Sequence, residues 1–312
     1  MLTVKRLSVL VWVGSFALSA LSANAAPPIL RFGPERPGAG YTEKFPEAKA
    51  KLFARINKDR AALGLTPLEY DLLGARVGDD FCLESAQRGF TGHFDPEGRA
   101  PYRRWTDAGG FDWHMQNVGA ISRVGGRIEE PIEKLLFAIH DEMMAERPPR
   151  DGHRRAILDP EATHVGIGAA VFDGEFRMSQ EFSRRAVTWI ELPTGPLKAG
   201  KLARLAARVP PPLIVGSVDI SFEPREKTKS FRELSRRKQY GLPQPFHTQR
   251  PRAREGTVWA DGRIGDFDLD PSGRFELAFP LSKGPGTYYA VVYVGTGPGP
   301  STPATVAAFV AE

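Results

Sequence analysis

The sequence predicts an α+β fold followed by a smaller all-β domain, and three observations carry that prediction. Apolar residues recur at helical spacing between residues 46 and 146, and strand-like runs flank Asp173-Gly174. Beyond residue 195 only short strand-like runs with turn residues between them remain. The 312 residues suffice for two domains of ordinary size, and the apolar and charged fractions, 41% and 25%, are those of a globular chain.

The N-terminal segment belongs to neither domain. Lys5 and Arg6 precede the apolar run Leu7 to Leu21, and Ala23-Asn24-Ala25 forms a small-x-small cleavage site. That pattern predicts a secretory signal peptide over residues 1–25, with an apolar run short for a membrane span. No later stretch is apolar enough to cross a bilayer, so the expectation is a secreted or periplasmic protein released by cleavage near Ala25. Loss of Lys5 and Arg6 takes the formal net charge from +5 to about +3. The single cysteine, Cys82, excludes an intramolecular disulfide, and an exported chain of this size without one suggests the bacterial envelope. Cys82 sits in a helical apolar run and reads as a small core residue.

Residues 26–45, rich in Pro and Gly, read as an extended lead-in, and the first domain is expected over 46–192. Leu52, Phe53, Ile56 and Leu63 share one helical stripe that Gly64 ends. A second helix is expected from Leu72 to Arg88, then a long polar loop from Gly89 to about Trp113. Between Glu129 and Glu146 the residues Ile132, Leu135, Leu136, Ile139 and Met143 form the stripe of a third helix. Glu146 projects near the middle of that stripe, where a carboxylate is costly unless paired or set in a polar cleft. Asp151 is placed to cap a fourth helix, with His153 in its first turn. The segments Val165–Phe172 and Glu175–Ser183 around Asp173-Gly174 predict a hairpin.

The Pro/Gly stretch near residue 195 marks the boundary, with a β-sandwich of Ig-like type expected over 196–312. Its strands are expected at Leu202–Val209, Leu213–Phe222, Gly256–Trp259, Arg274–Phe279, Thr287–Val294 and Ala304–Val310. Between the second and third of these, Arg225 to Arg254 carries ten basic residues against two acids. It reads as an exposed insertion, either a solvated loop or a docking segment for an anionic envelope polymer or lipid head group. Nucleic acid is disfavoured as a partner for an exported protein.

Five of the six histidines fall between residues 93 and 164. No H-E-x-x-H, G-x-S-x-G, Walker or G-x-G-x-x-G pattern is present, which removes the commonest hydrolase, phosphate and dinucleotide signatures. Near the start of a helix the dipole disfavours an imidazolium, so His153 is expected neutral, as a metal ligand or general base must be. The residues point to a polar cleft made of distant histidines and an inward-facing glutamate. His114, His140 and His164 read as incidental surface or supporting residues.

Six short pieces, in order over residues 50 to about 185, resemble the CAP superfamily of cysteine-rich secretory, antigen 5 and pathogenesis-related proteins, in its disulfide-free bacterial branch. They are Asn57 and Arg60 in "INKDRAALGLTPLEYD", then "GHFDPEG", "QNVGA", "MMAE", "DGHRRAIL" and "THVGIG". The resemblance implies an α-β-α sandwich whose cleft gathers two histidines and two acids and can bind a divalent metal. It assigns His93 and His153 as the histidines and the metal ligands, and Glu146 as one acid. Gln116 stands where the second acid is usual, so the affinity for Zn²⁺ or another divalent cation is expected to be weak. Met143 and Ile56 replace a usual tryptophan and a frequent histidine. The leading expectation is a binding module whose cleft, His93–Gln116–Glu146–His153, takes a small-molecule, lipid or peptide ligand. The alternative is a metal-assisted hydrolase with Glu146 as general base.

Overall fold

The computed structural model describes residues 9–11, 41–123, 127–193, 196–224, 240–297 and 300–312. The expected signal peptide apart from Val9–Val11, the lead-in up to residue 40, and residues 225–239 of the basic insertion lie outside the described residues.

The first domain runs β1 (Val9–Val11), α1 (Pro46–Ala61), β2 (Glu69–Tyr70), α2 (Leu72–Arg88), α3 (Pro101–Asp107), β3 (Trp113–Ser122), α4 (Ile132–Ala145), α5 (Gly152–Ile157), β4 (His164–Phe172) and β5 (Glu175–Arg184). Its strands form one sheet in the order β1-β3-β5-β4-β2. Strand alternation divides the packing. Met115, Val165, Ile167, Ala169 and Phe182 join Leu52, Ile56, Leu136 and Ile139 in one core, which puts α1, α4 and α5 on one face. Val118 packs on Phe81 and Phe90 across the other face, where α2 and α3 lie. The result is the α-β-α sandwich.

Asp71 caps α2 by accepting from the Leu73 N–H, and Gly89 ends it at φ 69°. Along its length α2 meets β4 backbone to backbone. A Cβ built on Gly168 would lie 2.2 Å from the Gly78 carbonyl carbon, and one on Gly166 would lie 2.2 Å from the Ala75 nitrogen. The turn motif of α1 is also built from backbone groups. Asn57 brackets Leu68 through both its N–H and its C=O, and the buried Arg60 guanidinium donates to the carbonyls of Thr66, Ile157 and Asp159. Burial lowers the Arg60 pKa to about 10, which leaves it charged at neutral pH. The hairpin expected at Asp173-Gly174 is present, with both residues at positive φ.

The polar loop expected from Gly89 to Trp113 contains a helix. Pro101 opens α3, and Trp105 and Tyr102 bury its inner side; seven residues are too few for the apolar spacing to stand out against the surrounding Gly, Asp and Arg. Among the described residues, no helix is long and apolar enough to cross a membrane.

The remainder is all β: β6 (Thr188–Glu191), β7 (Leu202–Arg208), β8 (Ile214–Pro224), β9 (Pro245–Gln249), β10 (Arg274–Pro280), β11 (Gly286–Gly295), β12 (Thr302–Pro303) and β13 (Ala307–Ala311). A three-stranded sheet, β10-β7-β6, and a five-stranded sheet, β12-β11-β8-β9 with β13 on β11, share one core of Leu205, Phe275, Phe279, Val218, Ile220, Val292 and Phe309. β6 pairs with β7, so the chain enters this sheet before the Pro/Gly stretch near residue 195. The strand expected at Gly256–Trp259 is instead a turn. Gly256 sits at φ 79°, Gly262 N–H returns to the Trp259 carbonyl, and Val258 has no buried face to occupy. The corresponding strand is β9, inside the basic insertion. Of that insertion, Tyr240, Gln249 and Pro251 are buried, and Arg250 and Arg252 pair with Asp261 and Asp268.

A third core joins the domains. Leu73, Val77, Ala100, Tyr102 and Trp105 pack against Tyr240, Tyr289, Val291 and Val306. Above it the Tyr102 and Tyr289 hydroxyls both donate to Glu223, at 2.5 and 2.6 Å.

The helix–strand contact gives a first prediction. Gly168→Ala should cost about 1–3 kcal/mol by forcing α2 off β4, seen as a lower urea midpoint with unchanged slope. Gly297→Ala, where a Cβ meets nothing within 4 Å, should leave the midpoint in place.

Candidate functional site

Gln116 and Asn117 are neighbours on β3, and strand alternation sends their side chains to opposite faces. Each meets its cross-strand neighbour on β5: Gln116 Nε2 donates to Glu181 Oε1 at 2.9 Å, and Asn117 Nδ2 donates to Gln180 Oε1 at 3.1 Å. The two candidate histidines are tied to this pair of residues in different ways, His93 by its ring and His153 by its backbone, and the rings are near enough to act on each other electrostatically. His93 bonds to Gln116, while the His153 carbonyl accepts from Asn117 Nδ2 at 3.0 Å.

Glu146 reaches His153 by a different route from the one its helical projection suggests. α4 stops at Ala145, and Glu146 is the first residue beyond it, with extended backbone (φ −56°, ψ 151°). From there its carboxylate accepts from His153 Nδ1 at 2.6 Å, from the His153 backbone N–H at 3.0 Å and from the Arg154 N–H at 3.4 Å. Glu146 therefore caps α5, the role expected of Asp151. The Asp151 side chain makes no capping bond and instead faces Arg155 at 3.4 Å. A carboxylate serves well here because it answers two free N–H groups and fixes the imidazole at the same time.

Both imidazoles carry a proton on Nδ1. An ionised carboxylate only accepts, so Glu146 requires the proton on His153 Nδ1. For His93 the argument runs through Gln116. Its amide nitrogen must face Glu181, which turns Oε1 toward His93 Nδ1 (3.1 Å) and Arg104 Nη2 (3.3 Å). His93 Nδ1 therefore donates. His93 Nε2 is left as a lone-pair acceptor, and it and His153 Nε2 are both buried and without a hydrogen-bond partner among the described residues. Burial pushes the His93 pKa down to about 3, and the nearby His153 and Arg104 lower it further, against the raising effect of Gln116. Over His93 lies Tyr240, with ring centroids 4.7 Å apart.

Behind Gln116 is a charged cluster that the spacing of motifs does not reveal. Glu181 is fully buried. Burial raises its carboxyl, but the close contact of His114 (Nε2–Oε2 2.9 Å), the Gln116 amide and the Arg104 charge outweigh this and hold it below the usual carboxylate range. Arg104 is buried over the Phe81 ring at 4.0 Å, and desolvation lowers its pKa. Of the two readings open for His114, His140 and His164, surface or supporting, burial leaves the supporting one. His114 stacks on Trp105, His140 contacts Asp59 at 2.9 Å, and His164 lies against Thr163 and Arg185. The signal available for Glu181 was its place in "SQEF", the strand segment that sets it opposite Gln116. Tyr240 had no such signal, because it lies 124 residues from Gln116.

The fit to a divalent cation is partial. The two Nε2 atoms have the donor chemistry, but Gln116 Oε1 and both Glu146 oxygens are already engaged, and a buried guanidinium stands alongside. Among the described residues, the group of three ligand atoms close enough to share an ion is Glu84, Asp95 and Glu97, which includes neither histidine. Arg88 and Arg99 neutralise that group. The histidine pair does not make a complete metal centre.

Residues 53–182 match the family model of CAP, the cysteine-rich secretory protein family. No curated protein matches the chain. Among solved structures, an outer surface protein of Borrelia burgdorferi is similar at 17% identity and a TM-score of 0.38, over 47% of this chain and 99% of that one. An extracellular protein of Bacillus anthracis containing an SCP domain is similar at 19% identity and a TM-score of 0.34, over 47% and 45% of the two chains. A cysteine-rich secretory protein of Staphylococcus aureus is similar at 21% identity and a TM-score of 0.31, over 46% and 40%. This chain covers less than half the length of the latter two.

Two predictions follow from the geometry. Folded His93 stays neutral down to about pH 3, whereas the unfolded imidazole takes a proton near its ordinary value of 6.5. Between those values the unfolded chain binds more protons, so the His93 contribution is full above pH 6.5 and is lost as pH falls. The slope is up to ~1.4 kcal/mol per pH unit. Urea midpoints measured from pH 8 to 4 should fall less steeply for His93→Gln than for the wild type. Gln116→Glu should set two carboxylates against each other, costing roughly 1–4 kcal/mol at neutral pH. That penalty should fade as the pH drops toward 4, because a carboxyl with a raised folded pKa recovers by protonation. Glu181→Gln in the same chain should restore most of the loss in thermal melts at pH 7.

Proposed function

Residues 53–182 form a CAP domain, and from that premise we propose that the protein is an exported binding module whose histidine pair takes a small ligand or a weakly held divalent cation. The observation that carries this reading is the pair of buried ring nitrogens, His93 Nε2 and His153 Nε2, without a partner among the described residues and each on a ring fixed through Nδ1. Such nitrogens suit a polar group of a small-molecule, lipid or peptide ligand, or a borderline cation such as Zn²⁺. With two protein donors and the Arg104 charge beside them, cation affinity is low.

The hydrolase alternative is less well supported. Both Glu146 oxygens already accept from His153 and Arg154, which leaves a poor general base. Burial pushes the Cys82 thiol well above its ordinary range, so it supplies no nucleophile. Electrostatic docking to an anionic envelope polymer would rest on the basic residues of 225–239, since Arg250 and Arg252 have acidic partners within the domain.

Calorimetric titration of the purified protein with zinc chloride tests the histidine pair. The wild type should bind weakly, and His93→Ala and His153→Ala should each lose about tenfold or more in affinity. Superimposable titrations of wild type and His153→Ala would remove the pair as a cation site.

A further inference from the structure

Tyr240 enters the first domain from the second and is fitted at both ends. Its ring lies on the His93 ring, with centroids 4.7 Å apart and planes tilted by 56°. Leu73, Val77, Ala100, Tyr102 and Trp105 supply the apolar wall. Its hydroxyl meets the edge of β3, accepting from the Gln116 N–H at 2.7 Å and donating to the Gln116 C=O at 3.3 Å. The strand edge offers one donor and one acceptor side by side, and a hydroxyl is the small group that answers both at once. Ring and hydroxyl thus meet separate, matched surfaces of the first domain. The same ring covers the candidate histidine, which is 2% exposed.

We propose that the space beside His93 is a recognition subsite for a hydroxylated aromatic ring, filled in this chain by its own Tyr240. The second domain thereby seals His93 until that ring is displaced. The part of this inference that concerns an external ligand rests on the binding reading above; the seal itself does not.

Carbethoxylation of each histidine by diethyl pyrocarbonate, followed by mass spectrometry, tests the seal without any metal. His247 on β9 is partly exposed and serves as the reference within the molecule. His93 in the wild type should react about tenfold or more slowly than His247. Tyr240→Ala should raise the His93 rate by about the same factor while His114 and His164 stay protected. In that variant p-cresol should restore protection, because it returns both ring and hydroxyl, and toluene should restore less. If the alanine variant unfolds, all histidines will react together and Tyr240→Phe decides, with a selective rise at His93 expected. A His93 rate that matches His247 in the wild type, or that stays at the wild-type level in both variants, overturns the seal. Equal protection by toluene and p-cresol overturns the hydroxyl recognition. Zinc protection of His93 in Tyr240→Ala reports separately on the cation reading. Its absence would remove that reading and leave the seal standing.

Discussion

The free edge of β3 is the constraint around which the molecule is arranged. A buried strand must pair every backbone N–H and C=O, and β5 answers only one side of β3. On the other side the partners come from three distant parts of the chain. The Trp113 N–H donates to the Ala304 carbonyl, Gln116 is met by the Tyr240 hydroxyl, and Gly119–Ile121 pair with the backbone of Val9–Val11. The second domain is therefore part of how the first satisfies its own backbone. The same strand carries Gln116, which holds the His93 ring, and Asn117, which holds the His153 backbone.

Charge explains the amide at position 116. A carboxylate there would face Glu181, which is buried and held ionised by Arg104 and the neighbouring dipoles. Glutamine instead gives its nitrogen to Glu181 and its oxygen to His93 and Arg104, so one side chain connects an acid, a base and a guanidinium without a clash of sign. In cation terms the substitution is a loss. In terms of the buried network it is the residue that lets the rest coexist.

Much of this was legible in the residue pattern, and the failures have physical reasons. α2 runs over its expected bounds, and the Asp71 cap and the Gly89 terminus supply the local reason. The hairpin at Asp173-Gly174 appeared because two positive-φ residues interrupt two strand-like runs. Glu146 was assigned to the cleft with His153, and the two do meet, but through a cap rather than a helical stripe. Spacing along a helix says nothing about a residue just past its end. For His114 and His140 surface and supporting roles stayed open, because a histidine in a short motif carries no sign of burial; their partners, Glu181 and Asp59, are 67 and 81 residues away in the chain.

By itself the sequence determined α1, α2, α4, α5, the β4–β5 hairpin and the short motifs around His93, Gln116, Glu146 and His153. These rest on local periodicity, turn chemistry and capping, which act over a few residues. Only the tertiary structure decided which protons those side chains carry and what covers them. Tautomer, burial and pairing depend on groups that long loops and a second domain bring together, and Glu181, Arg104 and Tyr240 lie beyond the reach of any local pattern.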